Sequence, residues 1–226
     1  MGGVFLLTGT DTAVGKTFVG ALLLEACARA GIRAIAMKPV ESGCAASKDG
    51  TLLPPDAIRY HALLGDSSVT LEDVCFYRYG EPVSPNIAAR RSGDLPDPRV
   101  IRDRILAEMG RRDVVLVEGA GGIMVEIVDG YAFLDLASDL AMEVIVVAPN
   151  RLGVLNHVAL TVKTLRSSGI RVGGIILNDL SATPDEASRH NLEELKRVHG
   201  GCVLTRVSFN AAALPDGIIE QLLGKA

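Results

Sequence analysis

Tryptophan is absent from this 226-residue chain, and aromatic residues make up only 4% of it. Proteins that bind single-stranded nucleic acid by stacking its bases need such rings, so that class is not expected. Positive charge is not in excess either. Lys and Arg number 23 against 27 Asp and Glu, for a formal charge of −4, which does not favour a polyanion-binding surface. The four cysteines, Cys27, Cys44, Cys75 and Cys202, form no CxxC pair. Their spacing supports neither a metal site nor a disulfide framework; they read as reduced thiols of a cytoplasmic protein. No apolar run approaches the ~20 residues that span a bilayer. The N-terminus lacks the charged region and cleavage pattern of a signal peptide. The expectation is a cytoplasmic protein with neither nucleic acid nor membrane as partner.

What the chain does have is apolar bulk, 48% of its residues. That is enough to bury a core in one domain spanning residues 1–226. Five short runs are apolar on both faces: "VFLL" (4–7), "AIAM" (34–37), "VVLV" (114–117), "VIVVA" (144–148) and "GGIIL" (173–177). Half-buried strands alternate, whereas these suit parallel strands covered on both sides. Helical stretches separate them, expected over 17–30, 97–111, 154–168 and 185–199, the second opening on an Asp97 cap and Pro98. Strand, helix and strand in succession give an α/β, doubly wound, mainly parallel sheet flanked by helices. Residues 40–96 are less regular, with one helix near 56–64, and an insert of this length lines a site or fills an interface.

The stretch "GTDTAVGKT" (9–17) falls between the first strand and the first helix. It has five residues, not the usual four, between its first Gly and the Gly15-Lys16 pair of a phosphate loop. Its context still fits one: glycines let backbone N–H groups approach an anion, and the helix N-terminus adds partial positive charge. Lys16 can reach the outer phosphates of a nucleotide and the Thr17 hydroxyl can bind Mg²⁺. More oxygen ligands are needed for that ion. Glu118, at the end of "DVVLVEG", is one candidate on the carboxyl edge of the sheet. Asp56 is another, although it also reads as an ordinary helix cap. "EGAGG" (118–122) is either a tight turn or a place where backbone approaches a ligand closely. Lys38 ends the second strand on the same edge, and two lysines near one phosphate suit phosphoryl transfer.

Taken in order, "GTDTAVGKT", "KPVESG", "EPVSP", "LVEGAGG", "LGVLNH" and "LND" resemble the dethiobiotin synthetases, from about residue 3 to residue 180. The extra loop residue is itself typical of that family. The resemblance implies a phosphate-loop NTPase-like fold and a ligase of biotin biosynthesis. Its substrates would be 7,8-diaminononanoate, CO₂ and ATP, with Mg²⁺ as cofactor. One amine takes up CO₂, the carbamate attacks the γ-phosphate, and the second amine closes a cyclic urea from the mixed anhydride.

By position, Lys16 and Lys38 would clamp the γ-phosphate and the carbamate, with Thr12 near the reacting groups. Thr17, Asp56 and Glu118 would surround Mg²⁺. Ala13, Val14, Gly15, Lys16 and Thr17 would cradle phosphate, and the stretch Glu118, Gly119, Ala120 and Gly121 would border both ligands. Ser42 would meet the substrate near its amines. Asn178 would bind the adenine edge, with Asp179 beside it. Val207, Ser208 and Phe209 would contact the base, though Ser208 stands where relatives often carry Pro. Ala13 replaces a Glu of some relatives. The family further implies a symmetric homodimer in which Gly153, Val154, Leu155 and Asn156 hold the far carboxylate of the substrate bound to the neighbouring subunit. Two other readings share the architecture. An amide ligase of the cobyrinate type would need a glutaminase domain that the chain has no room for. A partitioning ATPase would need a basic amphipathic tail that "IIEQLLGKA" does not supply.

Overall fold

The computed structural model describes residues 3–224. Among these, six strands form one parallel sheet: β1 (Gly3–Gly9), β2 (Ala34–Met37), β3 (Val114–Gly122), β4 (Glu143–Pro149), β5 (Val172–Asn178) and β6 (Val203–Val207). Their order in space is β6-β5-β4-β1-β3-β2. The runs that are apolar on both faces became strands because helices cover both sides of the sheet. Leu6, Leu7, Ile35, Val117, Val146 and Ile176 are all buried.

The principal helices are α1 (Lys16–Arg29), α2 (Pro55–Leu63), α3 (Pro85–Ser92), α4 (Pro98–Met109), α5 (Val154–Ser167) and α6 (Asn191–His199). Helix α1 buries Val19, Leu22, Leu23 and Leu24, each contributing about 1.5–3 kcal/mol from burial. Asp97 caps α4 as its Asp-Pro start predicts, accepting from the Arg99 N–H at 2.8 Å.

Strand order reverses at β1, which lies between β3 on one side and β4 on the other. Loops leaving β1 and β3 therefore splay apart, and the crevice between them at the carboxyl edge of the sheet is where ligands bind in such folds. The phosphate loop leaves β1 at this point.

Several expectations need correction. Glu118 does not end its strand; β3 continues to Gly122, and Gly122 pairs with Gly9 after a register shift beyond Leu7. Glycine and alanine there let two backbones remain adjacent where larger side chains would part them. The helix expected over 185–199 is broken. A 3₁₀ turn (Ala187–Arg189) precedes α6, because the buried Asn191 side chain is drawn to Asn150 and the Arg151 carbonyl. The segment 40–96 is more ordered than its prolines suggest. Besides α2 and α3 it holds a parallel pair of short strands, Val40–Ser42 and Tyr77–Tyr79. No helix among the described residues is long and apolar enough to cross a membrane.

Candidate active site

The phosphate loop is fixed by its backbone. Gly15 caps α1 in the left-handed region at φ 89°. A β-carbon there would stand 2.1 Å from Nδ2 of Asn178, so only glycine fits. That Asn178 amide donates to the Val14 carbonyl at 3.0 Å and ties the loop to the end of β5. Ala13 also takes a positive φ, 57°, a conformation that costs a non-glycine residue energy and clusters at functional sites.

Lys16 is buried, and its Nζ donates to the Asp11 carbonyl at 3.3 Å. Burial and then the nearby charge of Lys38 push its pKa down to about 8. A cation held this way gains when an anion arrives.

Lys38 lies just beyond β2, buried, with its Nζ between two carboxylates. It donates to Glu118 Oε1 at 2.5 Å and to Asp56 Oδ2 at 2.9 Å. Burial alone would lower its pKa; the two carboxylates outweigh that and hold it above the ordinary lysine range. Thr17 Oγ1 donates to the same Glu118 oxygen at 3.1 Å. Asp56 is desolvated, which would raise its pKa, but Lys38 holds it below the usual carboxylate range. It does not cap α2: the cap position is Pro54, with no side-chain cap bond. The plain helix-cap reading of Asp56 is therefore lost.

A cavity of about 380 Å³ brings together Thr12, Ala13, Gly15, Lys16, Thr17, Lys38, Ser42, Asp56, Glu118, Ala120 and Gly121. A second, of similar volume, shares Thr12, Ser42, Ala120 and Gly121 with it and runs on to the start of α3 at Pro82–Pro85. A third, of about 230 Å³, opens beside Asp179 between the ends of β4 and β5. Val14 is buried below the loop, and Gly119 is packed against Phe133. Asp179 is already committed, accepting from Asn150 and Arg206. Val207 is buried, whereas Ser208 and Phe209 are exposed.

Gly153, Val154, Leu155 and Asn156 line none of these cavities. At this helix start the Val154 N–H is spent on the Arg151 carbonyl and that of Leu152 on Asp185. Among the described residues, the N–H groups of Gly153, Leu155 and Asn156 remain without a partner there.

The donors around Lys38 suit a hard cation. Thr17, Asp56 and Glu118 offer oxygen alone, the ligand chemistry of Mg²⁺. Among the described residues no group of three or more His, Cys, Asp or Glu could hold a metal. A magnesium ion here would therefore take further oxygens from nucleotide phosphate and water.

A family model described as an AAA domain matches residues 4–213. The ATP-dependent dethiobiotin synthetase BioD of Anaeromyxobacter sp. is 40% identical over 208 residues, covering 92% of this chain and 90% of that protein. The protein of the same name from Anoxybacillus flavithermus is 38% identical, covering 86% of each. The chain belongs to the dethiobiotin synthetase family. Its fold is also shared by more distant proteins. A ParA family ATPase from Chlorobium tepidum superposes with a TM-score of 0.57 at 17% identity, over 99% of this chain and 90% of that one. The hydrogenase maturation factor HypB from Archaeoglobus fulgidus gives 0.57 at 14%, with the same coverage.

In this member of the dethiobiotin synthetase family, two site residues escape a reading of the sequence. Glu41, within "KPVESG", is buried in the cavity wall and accepts the N–H groups of Asp56 (2.9 Å) and Ala57 (3.1 Å). It caps α2 from a distant segment, and burial pushes its carboxyl up to about 7. Tyr60, fully buried on α2, donates its hydroxyl to Glu118 Oε2. Burial first, then the Glu118 charge, holds its phenol well above the usual range. A glutamate among small residues and a tyrosine in a helix carry no local signal; only the fold brings them to Asp56 and Glu118.

Proposed function

We propose that the protein is an ATP-dependent dethiobiotin synthetase, converting 7,8-diaminononanoate, CO₂ and ATP into dethiobiotin, ADP and phosphate. The observation that carries this reading is the second buried lysine. Lys38 faces the phosphate-loop cavity beside Lys16, in a chain 40% identical to a protein of that name. Two anions, a carbamate and a γ-phosphate, have to meet for the carbamate oxygen to attack phosphorus. Positioning and charge neutralisation supply most of the catalysis of such a step.

In this reading the loop N–H groups and Lys16 hold the phosphates of ATP. Lys38 faces the oxygens where charge grows, and Thr12, Ala120 and Gly121 close the space between them. The adjoining cavity from Ser42 to the start of α3 takes the diamine chain. Thr17, Asp56 and Glu118 would hold Mg²⁺, which when bound neutralises phosphate charge. Asn178 and the stretch Val207–Phe209 lie toward the base. Gly153, Leu155 and Asn156 would offer their free N–H groups to the substrate carboxylate of a partner subunit in a symmetric homodimer. The absence of these residues from the cavities of their own chain supports that placement. So does the exposure of Leu152 (80%) and Leu160 (58%) beside them.

Phosphate release from ATP, measured with and without 7,8-diaminononanoate and CO₂, tests the reading. Turnover should require both. ATP hydrolysis indifferent to the diamine would sink the synthetase reading in favour of an ATPase.

A further inference from the structure

Tyr60 is a buried phenol that phosphoryl transfer does not call for. Position 60 follows Asp56 by four residues on α2, so both side chains leave the same face of the helix one turn apart. Asp56 reaches Lys38, and Tyr60 reaches Glu118. Between them the two oxygens of Glu118 are divided. Oε1 accepts from Lys38 and Thr17, and Oε2 accepts from Tyr60. The carboxylate cannot turn without leaving a buried donor unpaired, which buried polar groups rarely tolerate.

A second observation is independent of that hydrogen bond. Gly20 lies in the middle of α1, the helix that carries the phosphate loop, where alanine is the better helix former. A β-carbon at Gly20 would lie 2.1 Å from the Tyr60 hydroxyl and 3.0 Å from its Cζ. The glycine leaves a notch in α1, and the phenol fills it on its way to Glu118.

We propose that Tyr60 is a positioning residue, its hydroxyl fixing Glu118 so that Oε1 is presented to Thr17 and Lys38, with Gly20 as the notch that admits it. The assignment rests on the functional reading above in taking Glu118 as a ligand of nucleotide-bound Mg²⁺. Outer partners of metal ligands typically change metal affinity by about 10–100-fold when removed.

The test measures Mn²⁺ binding by electron paramagnetic resonance, with a non-hydrolysable ATP analogue present, on the full chain and its variants. Tyr60→Phe keeps the ring and removes the donor. It should weaken Mn²⁺ about tenfold while the analogue binds within twofold of the parent in the absence of metal. Gly20→Ala should produce the same loss by displacing the phenol. In the Gly20→Ala/Tyr60→Phe double variant the losses should overlap, because the interaction is already gone. A lower melting temperature with unchanged Mn²⁺ affinity would make Tyr60 an ordinary core residue and overturn the assignment, as would fully additive losses. Should Tyr60→Phe fail to fold, Gly20→Ala decides alone, and unchanged Mn²⁺ affinity in it is fatal to the idea. Turnover of the parent with diamine and CO₂ is a separate reading. Its absence would remove the synthetase function while the metal titrations still judged Tyr60.

Discussion

A buried ammonium is stable only when paired, and Lys38 meets that need with the same carboxylates that would bind a metal. Lys38→Ala therefore has two effects. Loss of a charge aimed at the transferring group typically costs about 3 kcal/mol, on the order of a hundredfold in kcat, with little change in ATP affinity. Leaving Glu118 and Asp56 without their cation also costs folding stability, about 3–5 kcal/mol for a broken buried pair. Stopped-time kinetics and thermal melts separate the two, and near-normal kcat in the folded variant would remove Lys38 from the chemistry. Asp56→Asn keeps the shape and deletes a charge, so half-maximal activity should need more Mg²⁺; an unchanged requirement would free Asp56 from the metal. Lys16 makes a pH prediction. Its pKa near 8 in the free protein must rise when phosphate binds, so ATP binding takes up a proton above that pH. ATP affinity should be flat below about pH 8 as far as Lys16 is concerned. Above it, affinity should weaken with rising pH by up to about tenfold per unit. Calorimetric titrations across pH 7 to pH 9.5 that show no weakening would contradict this.

Helix α2 is the element that turns separate residues into a site. Its N-terminal N–H groups have no partners within the helix, and Glu41 supplies a carboxylate to two of them from the short strand Val40–Ser42. Anchored there, α2 aims Asp56 at Lys38 and Tyr60 at Glu118. Glu41→Ala should destabilise the fold by about 1–2 kcal/mol, the usual cost of a lost cap, and should raise the Mg²⁺ requirement by loosening Asp56. Denaturant melts and Mg²⁺ titrations read these separately, and a stability loss alone would confine Glu41 to a structural role. The phosphate loop, Lys38 and Glu118 were legible in the sequence because each directly follows or closes a run apolar on both faces, "VFLL", "AIAM" and "VVLV", and the carboxyl ends of such runs share one edge, although for Glu118 the strand itself goes on to Gly122. Glu41 and Tyr60 were not, since neither stands in a local pattern and their meaning depends on where the 40–96 segment folds back. The continuation of β3 through Gly122 was hidden for a similar reason. "EGAGG" has the composition of a turn, and the pairing of Gly122 with Gly9 that keeps it in the sheet leaves no mark in that composition.

At the scale of the whole molecule, the cavities that the proposed function gives to phosphate and diamine adjoin each other, while the helix N-terminus at Gly153 lines neither. The substrate has its carboxylate at the far end of an apolar chain, and backbone N–H groups at a helix start suit such an anion. If that helix start comes from a second subunit, an active site needs two chains, and a mixed dimer can prove it. Gly153 is a poor place for the test, because its φ of 92° would strain any replacement. Asn156 is exposed on the first turn of α5, and Asn156→Asp sets a negative charge against the incoming carboxylate without that strain. Like charges at close range disfavour binding, so this variant alone should need far more diamine. Lys16→Ala alone should be inactive at any diamine concentration. Mixed and allowed to exchange, the two give dimers with one site made of an intact Lys16 from one chain and an intact Asn156 from the other. Activity at low diamine should return in those dimers, approaching half the parent rate per dimer. No recovery, once subunit exchange is verified with labelled chains, would mean that each chain binds the carboxylate by itself, and α5 would then be only the connection between β4 and β5.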